Sequence, residues 1–190
     1  MTTGMEKSLR QRLAAIGEAL LSLAGQSMMR VLYRVLGFRY FYSAKQSVRP
    51  TAELIRRTQR SLCVLSGELN GAVWNAPDVR EALREVIGRP NPPQITIIYT
   101  PSPHVNPEAL EYLRSLARAG QISLYALPWR GDRHFWAADG RHVKVEEPHG
   151  PAEESRRGYV AFDASRLAAT LEERMRFALR QSHGLDSGAS

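Results

Sequence analysis

The stretch Asp132–His149, DRHFWAADGRHVKVEEPH, decides how the rest of this 190-residue chain reads. It holds two short runs of strand-forming residues, Arg133–Ala138 and Arg141–Glu146, separated by Asp139-Gly140. An Asp-Gly pair between two such runs predicts a hairpin, because both turn positions need positive φ and these residues tolerate it. The hairpin carries many chemical groups for a turn: Asp132, His134, Asp139, His142, Lys144, Glu146, Glu147 and His149. Alternate residues of a strand share a face, so Asp132, His134 and Trp136 point one way and Arg133 and Phe135 the other. Two titratable groups beside an indole could form a site at a sheet edge, and an ordinary solvated hairpin would show the same pattern.

Composition is that of a globular protein, 43% hydrophobic and 24% charged, and the length is enough to bury one core. Cys63, in the apolar run SLCVLSG, is the sole cysteine, which excludes a disulfide framework and a Cys-based metal site. We read it as a small core residue. No stretch reaches the ~18 uninterrupted apolar residues of a membrane span, and the start lacks the pattern of a secretory signal. The expected location is cytoplasmic, and no cofactor is expected.

The net charge of +7 is unevenly distributed. Residues 1–60 hold 11 Lys and Arg against 3 acids, whereas residues 61–190 hold 15 against 16. The whole excess lies in the N-terminal third, as in segments that meet the phosphates of nucleic acid or anionic lipid. The candidates for such a contact are Arg30, Arg34, Arg39, Lys45 and Arg49; a solvated helix face is the plainer alternative.

Taken in order, Met5 to about Phe38 has helical periodicity, with Leu9, Leu13, Ile16, Leu20 and Leu23 on one stripe and a second stripe after Gly25. This amphipathic segment needs cover from its own domain, a second copy or a membrane surface. Arg39–Tyr42 then leads into a polar linker, Ser43–Pro50. From Thr51 the pattern alternates: helix Thr51–Arg60 opened by a Thr cap, strand Ser61–Leu69, and helix Pro77–Ile87 with Asn75 nearby to cap it. Strand Gln94–Thr100, helix Pro107–Ala119 stopped at Gly120, strand Gln121–Leu127 and the hairpin follow. Strand Gly158–Phe162, helix Ser165–Gln181 and a loose tail, Ser182–Ser190, complete the chain. Alternation of this kind predicts an α/β fold with a mixed, mostly parallel sheet covered by helices. The expected organisation is a basic helical segment and linker over 1–50, an α/β domain over 51–181 and a flexible tail over 182–190.

This order of elements, with ELIRRTQRSLCVLSGEL, ITIIY, ISLYALP and the Asp139-Gly140 hairpin, resembles one half-domain of the phospholipase D superfamily. In active members the hairpin strand reads H-x-K-x-x-x-x-D-G, followed by Gly-Ser-x-Asn and a closing helix with a Phe near its end. Here the resemblance places Asp139 on the family's Asp and Phe177 in the closing helix. It places Asp132 on the nucleophilic His and His134 on the Lys that clamps phosphate. Val145-Glu146-Glu147-Pro148-His149 replaces Gly-Ser-x-Asn. A degenerate motif with added carboxylates opposes the charge neutralisation that phosphodiester cleavage needs.

Three readings follow. The first is a catalytically inactive binding or sensing domain with an unknown ligand and the site candidates Asp132, His134, Asp139, Lys144, Glu146 and His149. The second is a phosphodiesterase or nuclease with altered residues, its catalytic candidates being His134 and Asp139. The third is a metal site gathered by Asp132, His134, Glu146 and His149, although no recognised ligand spacing supports it, and no metal is assigned. The first is preferred because the nucleophile–clamp pair is missing. A half-domain also implies pairing, so a homodimer is expected, with Trp136 or the N-terminal stripe in its interface.

Overall fold

A computed structural model describes residues 38–127, 134–147 and 156–186, with side chains up to 180. The chain divides into two units, and the one described here begins at Arg39. Arg30, Arg34, Asp132, His149 and the helical stretch before Phe38 lie outside the described residues.

Seven strands form one sheet: β1 (Phe38–Phe41), β2 (Ser61–Ser66), β3 (Gln94–Tyr99), β4 (Ser123–Ala126), β5 (Phe135–Ala138), β6 (His142–Glu146) and β7 (Gly158–Ala161). Their spatial order is β1-β7-β6-β5-β2-β3-β4. Among the described residues five helices accompany them: α1 (Ala44–Arg57), α2 (Gly71–Trp74), α3 (Pro77–Ile87), α4 (Pro107–Arg118) and α5 (Ser165–Asp186).

The expected α/β architecture and mixed sheet are observed, but the sheet is not mostly parallel. β2–β3 and β3–β4 pair in parallel, whereas β2–β5, β5–β6 and β6–β7 are antiparallel. The reason is connection length. Helices bridge β2 to β3 and β3 to β4, as parallel neighbours require, while the Asp139-Gly140 turn can join only antiparallel strands. Both turn residues do adopt positive φ, 58° and 63°.

Two cores lie on opposite faces of the sheet. On one, Leu62, Val64, Ile95, Ile97 and Trp136 pack with Leu54 and Ile55 of α1 and Val79 and Leu83 of α3. On the other, α5 packs on β2, β5 and β6, where the strand alternation puts the buried Leu65, Phe135, Ala137 and Val143 opposite its own Ala168, Leu171, Met175 and Ala178.

Ser43–Pro50, expected to be a linker, is instead the first half of α1. Its polar groups serve the helix. Ser43 Oγ accepts the Gln46 N–H at 3.2 Å, and Gln46 Oε1 accepts the Tyr42 N–H at 2.9 Å, a capping pair one residue displaced from the usual box. Thr51 is therefore not a cap: it is buried mid-helix, with its hydroxyl donating to the Ser47 carbonyl at 2.6 Å. Pro50 sits inside the helix, where it removes one backbone bond and costs about 3 kcal/mol. Burial of Ser47, Thr51, Ala52, Leu54 and Ile55 along one face offsets this. Helix α3 spans the expected residues, but its cap position is Ala76; Asn75 instead bonds Glu108 at 2.9 Å and accepts from Arg80 at 2.8 Å. The closing helix runs to Asp186, beyond the expected end at Gln181.

At the far end of the hairpin, His142 is buried against Phe162, and its Nδ1 accepts the Asp163 N–H at 3.2 Å, which requires a neutral ring. Burial holds this imidazole below its ordinary value, outweighing the Asp163 carboxylate. As pH falls, the unfolded chain takes up this proton first, so stability present above pH ~6.5 is lost as pH drops toward the folded-state value. Urea denaturation at pH 7 and below pH 6 should show this loss, and His142→Gln should reduce the difference between the two conditions.

Candidate functional site

The hairpin register sets the site. Trp136 pairs with Lys144 and Ala138 with His142, while the Glu146 N–H bonds the His134 carbonyl at 2.9 Å. Directly opposed residues share a face, so His134, Trp136, Lys144 and Glu146 lie together. This face is the α1–α3 side of the sheet, where Trp136 stacks on Trp74 with ring centroids 4.7 Å apart. Trp136 is 2% exposed. It is a core residue of this unit, not an interface residue, because the helix layer already covers it.

Lys144 is 1% exposed, a severe position for an ammonium group. Its charge is met by Glu146 Oε1 at 2.7 Å and by the ring faces of Trp136 and Phe41, 5.1 and 5.4 Å away. The other Glu146 oxygen lies 3.8 Å from His134 Nδ1 and 3.9 Å from Arg156. Arg156 in turn donates to Glu68 Oε2 at 2.6 Å. Among the described residues, the result is a buried network that includes two carboxylates, two fixed cations and one imidazole. It collects at the end of the sheet where β2 finishes, β5 begins, β6 finishes and β7 is about to begin.

Two glycines permit this packing. A Cβ on Gly67 would lie 2.8 Å from His134 Nε2, so the bare backbone at the end of β2 lets the imidazole close down. A Cβ on Gly158 would meet the Phe41 ring at 2.5 Å and the Val145 carbonyl more closely still, displacing a ring that faces Lys144.

Of the sequence candidates, the fold brings His134, Lys144 and Glu146 together. Asp139 is at the opposite end of the strand from His134, roughly 16 Å away at about 3.3 Å per residue. Its carboxylate accepts the backbone N–H groups of Gln59, Arg60 and Ser61 at 2.8, 2.7 and 2.9 Å, tying the hairpin turn to the α1–β2 connection. Arg39, Lys45 and Arg49 are exposed, and Arg39 is paired with Glu53. Asp132 and His149 lie outside the described residues. Among those described, no group of three or more His, Cys, Asp and Glu is placed to hold a metal ion. Burial pushes the Cys63 thiol up to about 11, leaving it protonated at neutral pH and without a nucleophilic part.

Glu68 and Arg156 were absent from the sequence candidates. Glu68 had a usable signal, since it directly follows a buried strand that begins a parallel unit, and sites form beyond the carboxyl ends of such strands. Arg156 had none: it stands in a charged run, EESRRG, that reads as solvated loop.

With the geometry in hand, comparisons with known proteins give the fold a name. No family model matches the chain, and no curated protein does. Solved structures do. Nuc from Salmonella typhimurium, a phospholipase D family member, matches with TM-score 0.57 and 17% identity over 76% of this chain and 94% of its own. NucT from Helicobacter pylori matches with TM-score 0.56 and 12% identity over 75% and 95%. The archaeal chromatin protein TrmBL2, which shows a novel mode of DNA binding, matches with TM-score 0.55 and 16% identity. It covers 94% of this chain, which in turn spans 66% of TrmBL2. The chain has the phospholipase D-like fold. No helix among the described residues is long and apolar enough to cross a membrane.

The network predicts strong coupling. Removing one partner of a buried ion pair strands the other and costs about 3–5 kcal/mol. Lys144→Met and Glu146→Gln should each destabilise on that scale, and the double variant by clearly less than their sum, measured by chemical denaturation. Asp139→Ala should also destabilise, by about 2 kcal/mol or more for the lost charge-assisted bonds, with no coupling to Lys144→Met.

Proposed function

We propose that this chain is a phospholipase D-like binding or sensing domain that does not cleave phosphodiesters, that it acts as a homodimer, and that its basic N-terminal third contacts nucleic acid. The observation that carries the first part is the internal neutralisation of the site. The two buried cations, Lys144 and Arg156, are committed to Glu146 and Glu68 at 2.7 and 2.6 Å. A phosphodiester entering here would have to displace a carboxylate from each, and would find charge already balanced where cleavage requires net positive potential. The resemblance points the same way, since it sets Asp132 and His134 on the positions of nucleophile and clamp.

A balanced network of donors and acceptors still suits reversible binding. A ligand can replace one internal partner with its own polar group without leaving a buried charge alone. The contact with nucleic acid is assigned to Arg30, Arg34, Arg39, Lys45 and Arg49. Lys45 and Arg49 stand one turn apart on the exposed face of α1. The similarity to two phospholipase D-type proteins and to a DNA-binding chromatin protein supports this reading through shared fold.

Turnover of a chromogenic phosphodiester and of single-stranded DNA, with and without divalent metal, tests the inert reading. The expected result is none for either the wild type or His134→Ala. Metal-independent hydrolysis lost in His134→Ala would overturn the proposal and establish the altered phosphodiesterase; activity confined to added Zn or Mn would establish a metal enzyme. Light scattering is expected to give twice the chain mass, and a concentration-independent monomer would remove the dimer.

A further inference from the structure

The outer face of α5 carries groups that neither the helix packing nor the strand-end network uses. Phe177 is 54% exposed, more than any other large apolar side chain among the described residues. Arg174 precedes it by three residues and Arg180 follows it by three, so both flank the ring on the same face. Arg166 extends the stripe toward the start of the helix, and Arg176, which lies 3.9 Å from Glu172, borders it. Among the described residues Arg166, Arg174 and Arg180 have no ion-pair partner, in contrast to Arg39, Arg57, Arg118, Arg141 and Arg156, each held by a carboxylate. Glu172 leaves this face as well: it turns inward and accepts the Gly140 N–H at 2.7 Å, so Glu173 is the exposed acid between Arg166 and Arg180.

We propose that this face of α5 binds single-stranded nucleic acid, with Phe177 stacking on an unpaired base and Arg174 and Arg180 holding the flanking phosphates. Exposed aromatics between cations serve this purpose because every base has a π-face, while the guanidiniums follow the backbone. A duplex would engage the arginines but leave the ring without a base to stack on. An isologous contact with a second copy would set the same arginines against one another. A membrane surface would call for an apolar stripe, and here one aromatic stands among four arginines. The surface is separate from Arg39, Lys45 and Arg49, so the inference does not depend on the N-terminal contact proposed above.

The test is fluorescence anisotropy of a labelled oligothymidine with the full chain across a range of salt. Phe177→Ala should weaken binding about tenfold through loss of one stacked base, leave the salt dependence unchanged, and be rescued by Phe177→Trp. Arg174→Gln with Arg180→Gln should lower the log–log salt slope by about 1.4, since each single-strand phosphate contact contributes roughly 0.7. Wild-type affinity and slope in both variants would overturn the proposal. It would also fall if Lys45→Gln with Arg49→Gln alone abolished binding, which would place the contact on the N-terminal side. Loss of self-association or of anionic-vesicle binding in Phe177→Ala, with oligonucleotide affinity intact, would reassign the face to a second copy or to lipid.

Discussion

The burial of Lys144 is the constraint on which the rest of the site depends. An ammonium group cannot be taken out of water without compensation, and here the compensation arrives from four directions. Glu146 stands two residues along the same strand, Trp136 directly across the hairpin, Phe41 on the distant edge strand, and Arg156 completes the charge balance through Glu146. Glu146 follows from the alternation of β6 alone, but Trp136 requires a particular register between β5 and β6. A one-residue slip between β5 and β6 would turn Lys144 away from Trp136 and toward the face under α5. The polar network therefore helps specify the strand pairing as well as the chemistry of the pocket.

Two structural supports keep that register. At one end of the hairpin, Asp139 binds three consecutive backbone N–H groups and locks the turn to the start of β2. At the other, Gly67 and Gly158 allow His134 and Phe41 to approach backbone that any side chain would hold off. Between them the Trp74–Trp136 stack excludes water from the sheet face, which strengthens the internal ion pairs and sharpens the cost of breaking them. The Asp-Gly pair and the polar cluster, adjacent in sequence, thus do different jobs. One fixes geometry and the other holds charge.

This division bears on the proposal that the domain binds without cleaving. The strand end remains a concentration of ionisable groups, but its cations face carboxylates of the same chain. On that proposal, a ligand entering the site would exchange partners with the internal ion pairs, so affinity would depend on matching donors and acceptors more than on bringing charge. The contacts with a polyanion proposed above fall on exposed cations elsewhere, on α1 and along α5, where solvation lets charge act over distance.

The sequence by itself determined most of the elements from β2 onward and the turn that orders them. Asp139-Gly140 could close only a tight antiparallel hairpin, and the apolar runs of β2 and β3 could only be buried strands. His134, Lys144 and Glu146 were legible because strand periodicity puts hairpin neighbours on one face. Local pattern misjudged Ser43–Pro50, whose polar residues and proline look like a linker until the capping pair and the buried helix face are seen. What only the tertiary structure decided was which distant residues meet. Glu68 and Arg156 are 88 positions apart, and no periodicity links the end of β2 to the approach to β7. They join because an antiparallel arm was added beside a parallel unit, which brings one strand's end to another's beginning. Trp136 reads as an edge aromatic in the sequence and is sealed in the interior, because burial is a property of the layers packed on a strand and not of the strand itself.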